Sequence, residues 1–173
     1  MNLYYVYALV DPRNNKEFYI GKGKNNRVDD HFKELEKYLN LIEQKIPTSK
    51  GRFSNENKLG RMRAIRLEGK ETVIKKILEN TTEKAAYILE EILIERFGRK
   101  CLKNGQLTNL EPGGKWNYPK VLIPKAEKST IEDIKINFPN LIPILNQYPS
   151  VSIESEFLNK MKERISKKEG IEY

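Results

Sequence analysis

Hydrophobic positions along this chain change their period several times, and each change marks an element. Residues 3–10 (LYYVYALV) and the shorter run 18–22 (FYIGK) are rich in aromatic and β-branched side chains and predict two strands. Between them Asp11-Pro12-Arg13-Asn14-Asn15-Lys16 carries a proline and paired asparagines, which favour a turn, so the two runs should form an antiparallel hairpin. From Val28 the period becomes helical: Val28, Phe32, Leu35, Leu39 and Ile42 recur at three- and four-residue steps. Asn25 or Asn26 is the expected cap of that helix, which should end before Pro47, and residues 47–53 read as a loop.

A second helix is expected over 55–67, with Leu59, Met62 and Ile65 in register and Gly69 at its end. The β-branched run 72–78 (TVIKKIL) predicts a third strand. Thr82 should cap a third helix, whose apolar positions are Ala86, Ile88, Leu89, Ile92, Leu93 and Phe97 and whose end is Gly98. Residues 101–115 are dense in Asn and Gly and read as loop or short strand. After that the composition shifts, with five prolines between 115 and 173 and a lysine-rich helical stretch expected over 153–168. The pattern predicts an α/β domain over 1–115, with a small central sheet, mixed or antiparallel, flanked by helices. Residues 116–173 form a helical C-terminal extension on this reading.

Charge and composition narrow the chemistry. With 173 residues the chain has room for one well-cored domain. Its formal net charge is +8, and residues 115–173 hold ten basic and eight acidic side chains, so the excess belongs to the first part of the chain. A basic domain of this kind suits an acidic polymer such as nucleic acid. One cysteine, Cys101, leaves no intramolecular disulfide and no CxxC zinc site, and one histidine, His31, excludes a two-histidine metal centre. Neither a phosphate-binding GxxxxGK[ST] loop nor a GxSxG elbow is present. There is no apolar run long enough to span a membrane and no signal peptide at 1–9, so a soluble intracellular protein, cytoplasmic or nucleoid/nuclear, is expected.

Tyr5-Val6-Tyr7, then Tyr19-Ile20-Gly21 one short hairpin later, then Arg27 and His31 four residues apart, resembles the GIY-YIG nuclease family. The stretch FYIGKGKNNRVDDH, residues 18–31, is most similar to the branch found in ankyrin- and LEM-domain nucleases. The resemblance covers about residues 3–115 and departs at Tyr5, where the family carries glycine. It implies hydrolysis of DNA phosphodiester bonds, with RNA left open as a substrate. In-line attack on a phosphodiester needs a polarised water, neutralised phosphoryl oxygens and a stabilised leaving oxygen.

By the resemblance, Tyr7 would be the general base toward water, alone or together with metal-bound hydroxide. Tyr19 would hold the water or a phosphate oxygen, and Arg27 the scissile phosphate. His31 would bond either Tyr7 or the phosphate, and Lys22 would add positive charge beside the hydroxyls. A carboxylate in the third helix would hold Mg²⁺ or Mn²⁺. Glu90 fits the family's stretch, and Glu91 is the alternative. Asn109 would support the site or contact a phosphate.

Tyr4, Tyr5 and Tyr38 are read as packing residues, Gly113-Gly114 as a plain turn in preference to a phosphate nest, and Lys160, Lys162, Lys167 and Lys168 as a solvated helix face. Two other function classes share these features: a non-catalytic nucleic-acid-binding module on the same fold, and a sequence-specific restriction-type enzyme.

Overall fold

The computed structural model describes residues 3–48, 53–103, 105–111, 113, 132 and 134–148. Strands β1 (Tyr4–Asp11) and β2 (Lys16–Lys24) form the expected hairpin, paired antiparallel with Tyr7 opposite Gly21 and Tyr5 opposite Gly23. Asp11 closes the turn, accepting the backbone N–H of Asn15, while Asn14 accepts that of Lys16. Strand β3 (Val73–Thr81) pairs antiparallel with β1 on its other side, so the sheet is three-stranded, antiparallel, in the order β2-β1-β3.

β1 is therefore the central strand, and its unbroken apolar run follows from burial on both faces. Val6, Ala8 and Val10 point to one face and pack, with Ile20, against Ala85, Ala86, Leu89, Leu93 and Ile94 of α3 (Glu83–Phe97). Tyr5, Tyr7 and Leu9 point to the other, against Val28 and Leu35 of the α1 region (α1, Asp30–Glu43) and Leu59, Met62 and Ile65 of α2 (Glu56–Leu67). The two periods read in the sequence, two along β1 and about 3.6 along the helices, meet at these two cores. β3 is an edge strand, exposed over most of its length. Lys75, Lys76 and Glu79 discourage further strand pairing there.

The helix ends follow local chemistry in two cases out of three. Asn55 caps α2 by accepting the N–H of Lys58, and Thr82 caps α3 by accepting that of Ala85. The asparagine cap expected for α1 is not formed. Asn25 lies at φ 51°, Asn26 makes no side-chain cap bond, and a 3₁₀ turn, Arg27–Asp29, leads into a helix that begins only at Asp30. The first turn is held from outside instead, because the N–H of Val28 donates to the Tyr5 hydroxyl at 3.1 Å.

Beyond α3, a 3₁₀ turn (Lys100–Leu102) and one parallel bridge, Arg99 to Leu107, lead the chain back to the sheet. Within the expected C-terminal extension, Ile134, Leu141 and Leu145 are buried in the α3 core. Leu145 belongs to α4 (Ile142–Gln147), which Arg96 ties to α3 by donating to the carbonyls of Leu145 and Tyr148. The helix expected over 153–168 and its four lysines lie outside the described residues, as do Pro112 and Gly114. Among the described residues no helix is long and apolar enough to cross a membrane.

Candidate active site

The outer edge of β2 organises the site. Its unpaired backbone groups need partners, and these come from distant parts of the chain. The carbonyl of Phe18 accepts from Thr108 N–H at 2.7 Å, and the Ile20 N–H donates to Asn109 Oδ1 at 3.0 Å. Asn109 Nδ2 returns a bond to the Ile20 carbonyl at 2.7 Å. One step further, the Lys22 N–H donates to Glu90 Oε1 at 2.9 Å. Residues 107–109 and the middle of α3 are thus fastened beside the second tyrosine motif.

Against this edge lies a cavity of about 640 Å³ whose wall includes Tyr19, Arg27, His31, Lys58, Glu90 and Asn109. Tyr19 and His31 meet edge-to-face with ring centroids 5.0 Å apart. Arg27, with 65% of its side chain exposed, is anchored at 3.0 Å by Asp30 and stands at the cavity mouth. Arg27 and His31 line one cavity although Arg27 sits in the 3₁₀ turn and not in α1 itself.

Tyr7 stands one layer behind the wall. Only 1% of it is exposed, and its hydroxyl is 2.5 Å from His31 Nε2. Tyr7 is thus one of the two partners expected for His31. On the other side of the ring, Lys58 Nζ lies 2.9 Å from His31 Nδ1 and 3.0 Å from Glu34 Oε2.

Two glycines make this arrangement possible. A Cβ on Gly21 would lie 2.7 Å from both Cζ and the hydroxyl oxygen of Tyr7 and 2.9 Å from Cε1 of Tyr19. The Tyr7 ring lies directly over its cross-strand partner and fills the space a side chain would take. Gly23 plays the same part for Tyr5, whose ring a Cβ would overlap. Where the first motif carries a tyrosine in place of glycine, the opposite strand thus carries the glycine that accommodates it.

Burial dominates the electrostatics. It pushes the Tyr7 hydroxyl far above the usual phenol range, with the tyrosines at 19 and 5 and Glu90 adding to the rise and Arg27 opposing it. Tyr19 is pushed up to about 12, by burial first and by Glu90 next. His31 is lowered to about 4, because burial and the neighbouring Lys58 both disfavour a charged ring. Both phenols are accordingly protonated, and the imidazole neutral, at pH 7.

One expected residue is placed otherwise. The Lys22 ammonium does not stand beside the tyrosine hydroxyls. Alternation along β2 puts it on the α3 side, 3.2 Å from Glu83 and 3.7 Å over the Tyr87 ring. Lys58 occupies the cationic position instead, 5.4 Å from the Tyr19 ring centroid. Asn109 reaches the cavity with its Oδ1 and one Nδ2 hydrogen bonded to Ile20, so it fixes β2, the supporting one of its two expected roles. Glu90 rather than Glu91 lines the cavity, and burial together with Glu95 raises the Glu91 carboxyl. Gly113, at φ 79°, packs against Glu90 and Ile94 at the cavity wall.

The family model for the LEM-3-like GIY-YIG domain matches residues 4–121. This chain belongs to that family. No curated protein and no solved structure matches it. Membership in a nuclease family agrees with a cavity lined by Tyr19, Arg27, His31 and Glu90, with Tyr7 bonded to His31 behind its wall.

Sequence reasoning missed Lys58 and Glu34 in this GIY-YIG domain. A signal was present: Lys58, Met62 and Ile65 fall at i, i+4 and i+7, so the lysine occupies the buried stripe of α2, and it is only 2% exposed. A lysine on an apolar stripe needs a partner inside the protein.

Proposed function

We propose that the protein is a divalent-metal-dependent endonuclease acting on DNA, with Tyr7, Tyr19, Arg27, His31 and Glu90 as its working groups. The observation that carries this reading is the shared cavity, where a guanidinium, a phenol, an imidazole bonded to a second phenol, and a carboxylate meet on one side of β2. The catalytic unit is residues 1–115, and 116–173 is its extension.

Arg27 at the cavity mouth would bind non-bridging oxygens of the scissile phosphate through its planar donors. Tyr19, protonated below about pH 12, would donate its hydroxyl to a phosphoryl oxygen or hold the attacking water. His31, neutral and bonded on both ring nitrogens, would connect Tyr7 to the wall and keep its hydroxyl in place. A base role for Tyr7 begins only in the loaded complex, because burial keeps its proton on before that. Glu90 would hold the ion. Among the described residues no three His, Cys, Asp or Glu side chains gather as a metal cluster, and one carboxylate at an open cavity suits a hard ion that keeps most of its water. When bound, Mg²⁺ or Mn²⁺ would neutralise phosphoryl charge and make water a stronger acid.

The test is cleavage of supercoiled plasmid with Mg²⁺, Mn²⁺ or EDTA, for wild type beside Tyr7→Phe, Arg27→Ala and Glu90→Gln. Metal-dependent nicking or linearisation that each substitution lowers by about 10²-fold or more, with folding intact, supports the proposal. A wild-type protein that binds DNA and cuts under no metal refutes it in favour of a binding module.

A further inference from the structure

We propose that Lys58 is a positioning residue that sets the tautomer of His31, so that the Nε2–H of His31 donates to the Tyr7 hydroxyl oxygen. What this does for catalysis rests on the nuclease reading above, while the tautomer itself does not.

The argument is one of donors and acceptors. Four groups follow one another inside the protein: Glu34 Oε2 is 3.0 Å from Lys58 Nζ, Lys58 Nζ is 2.9 Å from His31 Nδ1, and His31 Nε2 is 2.5 Å from the Tyr7 hydroxyl. An ammonium carries hydrogens and no lone pair, and a neutral imidazole has one nitrogen of each kind. Burial lowers the proton affinity of Lys58, and the Glu34 carboxylate opposes that through its hydrogen bond and charge, which favours the ammonium form. With the ring neutral, Nδ1 must accept from Lys58, and the single ring proton is left on Nε2.

The opposite arrangement, with Tyr7 donating to Nε2, would set an Nδ1–H against an ammonium at 2.9 Å, donor against donor. The Tyr7 oxygen therefore accepts, and its own proton is free to point away from His31. An oxygen that accepts an N–H backed by a buried positive charge is better stabilised as its anion, which opposes the effect of burial on Tyr7. Helix α2 thereby contributes to a site whose other groups come from β1, β2, the start of α1 and α3.

His31 is the sole histidine of the chain, so its two ring nitrogens are read directly by NMR of protein labelled with ¹⁵N-histidine. Wild type at pH 7.5 should show a protonated, pyrrole-like Nε2 and an unprotonated, pyridine-like Nδ1. Lys58→Arg, which still offers only donors, should keep that pattern. Lys58→Met should lose it and give a mixed or reversed tautomer, with kcat for plasmid cleavage reduced about tenfold or more and KM little changed.

A pyrrole-like Nδ1 in wild type, or an unchanged spectrum in folded Lys58→Met, overturns the assignment. Wild-type kcat in Lys58→Met overturns its catalytic part. If Lys58→Met fails to fold, the wild-type and Lys58→Arg spectra still decide. A wild type that cleaves nothing removes the nuclease reading and leaves the tautomer measurement valid.

Discussion

Replacing Gly21 with alanine adds one methyl group at the point where the two tyrosine motifs touch. The new Cβ would lie 2.7 Å from Cζ and the hydroxyl oxygen of Tyr7 and 2.9 Å from Cε1 of Tyr19. Favourable carbon contacts lie at about 3.5–4.0 Å, so one or both rings must move by about 1 Å. Tyr7 has little room to do so, because it is 1% exposed, packed in the core with Leu9 and Leu35, and bonded to His31 at 2.5 Å. Overpacking of this kind costs about 1–3 kcal/mol of stability, and a displacement of about 1 Å in a positioned catalytic group lowers the rate on the order of 10²-fold. The backbone of Gly21 lies outside the left-handed region, so the effect is one of ring packing and not of strain.

Gly60→Ala is the matched control. Gly60 lies inside α2 with nothing within 4 Å of its Cβ, and alanine there should raise stability by about 1 kcal/mol with cleavage unchanged. Urea unfolding and plasmid cleavage, run on both variants, check the pair. Gly21→Ala with wild-type stability and wild-type turnover would refute the cross-strand argument.

Protonation of His31 should weaken the fold in acid. Its pKa is 6.5 unfolded and about 4 folded, so the unfolded chain binds more protons between those values, and the stability it contributes is complete above pH 6.5 and lost as pH falls toward 4. The loss is about 3 kcal/mol for a shift of this size. Urea titrations from pH 7.5 to 4 should show it in wild type and not in His31→Gln, and identical pH profiles for the two would contradict it. Asn109→Ala should leave the Ile20 N–H and carbonyl without their partners, at a cost of about 2–4 kcal/mol. Hydrogen exchange at the Ile20 amide should accelerate with it, and an unchanged exchange rate would mean that Asn109 does not hold β2.

What the sequence determined by itself is what near neighbours along the chain decide. The hairpin, all three sheet strands, the cap at Thr82 and the helical registers of α1, α2 and α3 depend on turn residues, local hydrogen bonds and side-chain period. The two tyrosine motifs, Arg27, His31 and Glu90 were legible because the family pattern fixes their spacing, and the pairing of Tyr7 with Gly21 brings the two motifs together.

The rest depended on contacts between residues far apart in the chain. The start of α1 is set by the Tyr5 hydroxyl, 23 residues upstream of Val28, and not by an adjacent asparagine. Lys22 turns away from the tyrosines because strand alternation assigns it to α3, whereas Lys58 enters the site from a helix that carries no family motif. Asn109 fastens β2 from 89 residues away. Hydrogen-bond partners, burial and the proton affinities that follow from them belong to the folded chain, because only folding removes water and sets these groups against one another.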